Sequence, residues 1–215
     1  RFIELTQQVC STAHRRVIEG ETVPNEDKIF SIFETHTQLY RRGKAKQPNQ
    51  FGRLVMVYED AAGFISHYFM LPRDAQDADV VVEQTQVAQE RHNHQIEDAS
   101  FDRGFYSSEN EELLQAILEH PCLPKKVASE YQEQTKNASV RFREARQRHS
   151  GIESAIGALQ SGNALKRCRD RTEIGFERYL GLGIMGRNLH VLGKLLIQQV
   201  APDTKAAESR RKPAA

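Results

Sequence analysis

The chain has 215 residues, 39% of them hydrophobic and 27% charged, with a formal net charge of +1. That balance supports a real hydrophobic core and excludes wholesale disorder, while so small a net charge does not by itself announce a nucleic-acid partner. No apolar run approaches the roughly 18 residues needed to span a bilayer and no signal peptide stands before the first element, so a soluble intracellular protein is expected.

Residues 2–19 set Ile3, Val9, Val17 and Ile18 among polar neighbours, which predicts a helix ended by Gly20. Residues 29–33 predict a short strand, and the Lys-, Gln- and Pro-bearing stretch 43–49 a loop. Leu54-Val55-Met56-Val57-Tyr58 and Phe64-Ile65-Ser66-His67-Tyr68-Phe69-Met70 flank Glu59-Asp60-Ala61-Ala62-Gly63, a hairpin signal. Residues 77–91 predict a helix, with Asp77 read as its cap, that returns the chain to a strand ending at Phe101. Ser107 or Ser108 is expected to cap the next helix, which runs to His120 with Glu109, Glu111 and Glu112 in its first turn. The prolines of Pro121-Cys122-Leu123-Pro124 allow only a short, edge-like strand. Beyond it the chain reads as helical, over 139–159 and again over 172–200, where Ile174, Leu182, Met185, Leu189, Leu192 and Leu196 recur at near-helical intervals. Residues 201–215 are polar and proline-bounded, and disorder is expected there.

Two carboxylates in unlike settings suggest chemistry. Asp102 follows the strand ending at Phe101 and precedes Arg103-Gly104-Phe105-Tyr106, so its side chain lies at the carboxyl end of a strand, where open α/β sheets build ligand sites. Glu153 lies on the 139–159 helix, downstream of Arg141, Arg143, Arg146 and Arg148. Two hard oxygen donors suit Mg²⁺ or Mn²⁺, and a pair of such ions can clamp an in-line phosphoryl transfer. The blander readings are a turn or cap for Asp102 and a solvated salt-bridge array for Glu153. Between Lys125 and Arg148 basic residues exceed acidic ones by four, and Lys166, Arg167, Arg169 and Arg171 follow Glu153. These clusters either hold DNA phosphates or form solvated helix faces.

The remaining candidates carry less. Cys10, Cys122 and Cys168 lack any Cys-x-x-Cys spacing, so neither a disulfide framework nor a zinc ribbon is indicated. His92 and His94 have no third ligand nearby, and Ser11 and Ser107 have no His/Asp framework for nucleophilic catalysis. Phe105 and Tyr106 are read as core before base-stacking residues.

An ordered series of segments resembles the C-terminal catalytic region of a bacterial insertion-sequence transposase of the DDE type. It runs through Val23-Pro24-Asn25-Glu26-Asp27-Lys28-Ile29-Phe30-Ser31-Ile32-Phe33-Glu34-Thr35-His36-Thr37, Arg42-Gly43-Lys44-Ala45, Gln50-Phe51-Gly52 and Asp102-Arg103-Gly104-Phe105. It continues in Leu123-Pro124-Lys125-Lys126, the Glu153 segment, Leu165-Lys166-Arg167-Cys168 and Arg187-Asn188-Leu189. The resemblance implies a mixed α/β, ribonuclease H-like sheet with flanking helices and a helical C-terminal part, here without its first strand. It makes Asp102 and Glu153 the second and third catalytic carboxylates and the ligands of Mg²⁺ or Mn²⁺. Arg146 and His149 are expected to contact DNA near the scissile phosphate, with Arg148, Lys125 and Lys126 as further DNA contacts.

The first catalytic Asp of that family precedes the segment matching 23–33, so the expected organisation is a fragment. Residues 1–22 would be a helix and linker from the upstream region, 23–200 a partial catalytic domain, and 201–215 a tail. The implied activity is DNA strand cleavage and strand transfer, with transposon ends and target DNA as partners, homo-oligomerisation at full length, and a nucleoid-associated cytoplasmic location. Two alternatives stay open: a non-catalytic remnant or DNA-binding protein, and a nuclease that only hydrolyses.

Overall fold

The computed structural model describes residues 1–41 and 48–200. Its chain order is helix α1 (Phe2–Val17), strands β1 (Gln38–Arg41), β2 (Asn49–Gly52), β3 (Val55–Glu59) and β4 (Ile65–Met70), helix α2 (Asp77–Arg91) and strand β5 (Asp98–Ser100). A single 3₁₀ turn (Arg103–Phe105) follows, then α3 (Ser108–Ile117), β6 (His120–Cys122), α4 (Ala128–Lys136), α5 (Val140–Ser161) and α6 (Thr172–Val200). The tail expected over 201–215, the Arg42-Gly43-Lys44-Ala45 segment and most of the loop around it lie outside the described residues.

The architecture is mixed α/β, and the described strands pair two by two rather than in one continuous sheet. β1 and β2 are antiparallel, as are β3 and β4, whereas β5 and β6 run parallel with Asp98 opposite His120 and Ser100 opposite Cys122. Side chains, not ladders, connect these pairs. Along the β3/β4 hairpin successive residues point to opposite faces, and here both faces are apolar. Met56, with Leu54, Tyr58 and Phe69, packs on Leu71, Val80, Val81, Phe101, Leu114, Leu118 and Leu123 from α2, α3 and the β5/β6 segments. Ile65, with Val55, Val57, Tyr68 and Met70, packs on Leu159 of α5 and on Leu180 and Ile184 of α6. Asn188 of α6 fastens that second face by accepting from the Ile65 backbone N–H at 2.9 Å and donating to its carbonyl at 3.0 Å.

Two sequence expectations need correction. No strand forms at 29–33; Ser31 Oγ instead accepts from the Glu34 N–H at 3.0 Å, and Arg73 donates to the carbonyls of Asn25 and Lys28. Side-chain bonds thus hold the backbone on both sides of the segment in turns, and the strand begins at Gln38. Asp77 is the first residue of α2 rather than its cap: Gln76 is the cap, its N–H donating to Asp79 Oδ2 at 2.8 Å in a capping box.

Buried polar side chains tie α2 to its neighbours. Gln89 donates to the carbonyls of Ile96 (2.7 Å) and Ile117 (2.9 Å) and accepts from the Ile96 N–H (3.0 Å). His67 of β4 lies between Gln84 Oε1 at 3.0 Å and an Arg91 guanidinium nitrogen at 2.8 Å. Because Arg91 only donates, Nδ1 of His67 must accept and Nε2 must carry the proton. Burial lowers the His67 pKa below its usual 6.5, a hydrogen bond to Gln84 opposes this, and the charges of Arg91 and His92 add to the lowering.

Gln89→Leu should lower stability by about 3 kcal/mol in urea unfolding, because three buried backbone groups lose their partner. The neutral ring of His67 is favoured in the folded state, so the unfolded chain takes up its proton first as pH falls. Its contribution is therefore complete above about pH 6.5 and declines as pH drops below that value. Urea unfolding between pH 8 and pH 5 should show a steeper loss for the wild-type chain than for His67→Asn.

Candidate functional site

The site is built where β5 ends. Phe101 continues the parallel pairing by donating its N–H to the Cys122 carbonyl at 3.0 Å, and its ring joins the core. The chain then turns outward at Asp102. That carboxylate makes no capping bond to the 3₁₀ turn after it. Instead it meets His149 of α5, with Nε2 3.0 Å from Asp102 Oδ1. The other ring nitrogen of His149 lies 3.2 Å from the Ser100 carbonyl. Both neighbours are acceptors, so a doubly protonated ring satisfies both contacts and a neutral ring only one. The His149 side chain is 14% exposed and the Asp102 side chain 69%.

Helix α5 carries the rest. Ser139 caps it by accepting from the Phe142 N–H at 3.1 Å, and Arg141 grips Asp98 with two bonds of 2.9 and 3.0 Å. Arg146, one turn before His149, donates to the Phe101 carbonyl at 2.9 Å. Glu153, one turn after it, has an exposed side chain with no ion pair among the described residues. Spacings of three and four residues put Arg146, His149 and Glu153 on one face, and the four-residue step from His149 to Glu153 spans ~6 Å of helix.

The turn after Asp102 is fixed from the other side. Asn110, buried at the start of α3, donates to the carbonyls of Phe105 (2.9 Å) and Ala78 (2.8 Å), joining the turn to α2. Gly104 lies so close to α2 that a Cβ there would stand 3.0 Å from Asp77 Oδ2, and any side chain would oblige that carboxylate to give by a few tenths of an ångström. A separate cleft of about 360 Å³ is lined by Asp77, Gly104, Tyr40, Gln38 and Arg73 among others, but not by Asp102, His149 or Glu153.

The remaining expected site residues divide. Lys125 and Lys126 precede α4, with the Lys125 N–H held by Gln134 Oε1 at 3.1 Å, and neither ammonium has an ion pair among the described residues. Arg148 points away from the site face and meets Glu144 at 3.5 Å in the open. Phe105 and Tyr106 pack against the core. All three cysteines are free thiols, and burial pushes the thiols of Cys122 and Cys168 up. Sequence reasoning missed two residues: Arg103, next to Asp102 in the chain, and Tyr131 of α4, whose ring centre stands 4.1 Å from the Arg103 guanidinium carbon. Among the described residues no three His, Cys, Asp or Glu side chains converge as a ready metal cage, and no helix is long and apolar enough to cross a membrane.

No protein-family model, curated protein or solved structure matches the chain.

Asn110→Leu should release both carbonyls and loosen the turn without moving α5. Amide exchange at residues 103–106 should accelerate at least ten-fold while exchange within α5 stays unchanged.

Proposed function

We propose that this chain carries part of the catalytic region of a DDE-type insertion-sequence transposase on a ribonuclease H-like frame, acting on DNA by metal-dependent strand cleavage and strand transfer. The observation that carries the reading is the meeting of the strand-end carboxylate of Asp102 with the α5 face bearing Arg146, His149 and Glu153. Forty-seven residues separate Asp102 from His149, yet they lie 3.0 Å apart. The ordered resemblance from about Val23 to Leu196 supports the same reading.

The donor set fits a hard divalent cation. Asp102 and Glu153 offer only oxygen, and Mg²⁺ typically takes one or two carboxylates, several waters and substrate phosphates rather than an all-protein cage. Asp102 and Glu153 would hold it; when bound, such an ion supplies charge neutralisation at phosphorus and an activated water or 3′-hydroxyl. The chain's own side chains do the positioning. His149, anchored on the Ser100 carbonyl, orients the Asp102 carboxylate. Arg146, anchored on the Phe101 carbonyl, keeps a fixed positive charge beside it, which favours a strand phosphate next to the reacting one. Lys125 and Lys126 supply sequence-blind attraction for the DNA backbone.

A second reading, a DNA-binding protein without catalysis, is favoured by one observation: Asp102 is already paired with His149, and no third ligand converges on it among the described residues. Binding of Mn²⁺ to the chain with a short DNA duplex, followed by electron paramagnetic resonance, separates the two. Asp102→Ala and Glu153→Ala should each weaken Mn²⁺ binding at least ten-fold while leaving duplex affinity within about two-fold. Unchanged Mn²⁺ binding in both variants selects the non-catalytic reading.

A further inference from the structure

Arg103 and Arg146 converge on Tyr131 from different elements. Arg103, in the turn after Asp102, stacks over the ring at 4.1 Å, and Arg146 approaches from α5. Burial pushes the Tyr131 phenol up, but the hydrogen bond and charge of Arg146, with hydrogen bonds from Thr135 and Arg103, outweigh it and the net shift is downward. Neither guanidinium has a carboxylate partner among the described residues. The adjacent Asp102 is turned to His149, and Arg146 donates to Ser100 Oγ and the Phe101 carbonyl. Lys125 and Lys126, also unpaired among the described residues, belong to the segment that leads into α4.

Two guanidinium groups around one phenol repel each other unless an anion lies between them. A stacked Arg keeps its N–H edge directed outward in the plane of the guanidinium, the geometry that grips a phosphate with two parallel bonds. The phenol adds a third donor. A metal cation does not fit so many donors without an acceptor, whereas an oxyanion does, and the DNA reading above supplies one in the strand phosphate.

We propose that Arg103, Tyr131 and Arg146 form a clamp for one backbone phosphodiester of a DNA strand, beside the Asp102–His149 pair and separate from the phosphate undergoing reaction. This rests on the DNA reading above and extends it to two residues, Arg103 and Tyr131. The clamp fixes the register of the strand and reads no base, because all its donors address phosphate oxygen.

Fluorescence anisotropy with a labelled DNA duplex in EDTA, across a salt series, tests the clamp apart from catalysis. Arg103→Ala should weaken binding about ten-fold and reduce the slope of log affinity against log salt by about 1. Tyr131→Phe, which keeps the ring and removes only the hydroxyl, should weaken binding about three-fold, and Arg103→Lys should restore most of the salt slope but not the affinity. A methylphosphonate placed at successive positions of one strand should weaken wild-type binding at one position and leave Arg103→Ala insensitive there. Wild-type affinity and slope in both Arg103→Ala and Tyr131→Phe overturn the clamp while leaving the DNA reading intact. A wild-type chain that does not bind the duplex overturns both. Arg103 is exposed, and matching thermal unfolding curves establish that its variants are folded.

Discussion

The site depends on two backbone carbonyls that no strand claims. β5 is only three residues long, and its partner β6 ends at Cys122, so the carbonyls of Ser100 and Phe101 leave the ladder without a strand partner. A buried carbonyl without a donor costs about 1–3 kcal/mol. Helix α5 supplies the donors, His149 to Ser100 and Arg146 to Phe101. Satisfying the strand end therefore determines how α5 lies across it. With that orientation set, the next residue, Asp102, can only emerge against the same helix face. The geometry that unites distant residues thus follows from backbone hydrogen bonding and needs no ligand to create it.

The scaffold behind this contact is the two-faced β3/β4 hairpin. One face belongs to α2, α3 and the β5/β6 segments, the other to the end of α5 and to α6. Because α5 touches the strand end through Arg146 and His149 and the hairpin through Leu159, its two ends are held by different clusters. Glu153 lies between these anchors. A helix pinned at both ends offers little freedom to the residues between them, which is the condition a positioned carboxylate needs. Arg187 and Asn188 serve the same frame, Arg187 pairing with the half-buried Glu59 at 3.2 Å and Asn188 binding the Ile65 backbone. That resemblance segment has a structural explanation independent of any DNA.

Much of the frame was legible in the sequence because it follows from local chemistry. The hairpin around Asp60, the helix over 77–91, Ser107 as a cap, the strand limited by Pro121 and the helix from 172 to 200 all rest on turn residues, caps and periodicity, and each is found. The segment 29–33 misled because its apolar residues satisfy a strand pattern while Ser31 and Arg73 close the backbone into turns, an effect of a side chain forty residues away. Within the site, Arg146, His149 and Glu153 could be placed on one face by counting alone. The union of His149 with Asp102 could not, since it arises from packing between elements far apart in sequence. Tyr131 and Arg103 were missed for the same reason: a lone Tyr on a polar helix and an Arg beside an Asp carry no signal until the fold brings them together. The pairing of strands two by two was also illegible, because side-chain clusters rather than strand periodicity decide which ladders meet.

The pairing of Asp102 with His149 engages a carboxylate oxygen that the proposed chemistry would need. The burial of the two partners resolves this. His149 is held on the Ser100 carbonyl and is almost enclosed, whereas the Asp102 carboxylate is largely exposed and has no other partner among the described residues. A contact whose carboxylate is so exposed contributes about 0–1 kcal/mol, little enough to be exchanged for another ligand. The carboxylate is therefore the partner that can turn, and the imidazole the one that stays. Were Asp102 to turn away, Nε2 of His149 would face the site with its other nitrogen still anchored on the Ser100 carbonyl. Under the DNA reading proposed above, the contact that holds the carboxylate would thus leave a donor for a phosphate oxygen beside the fixed positive charge of Arg146.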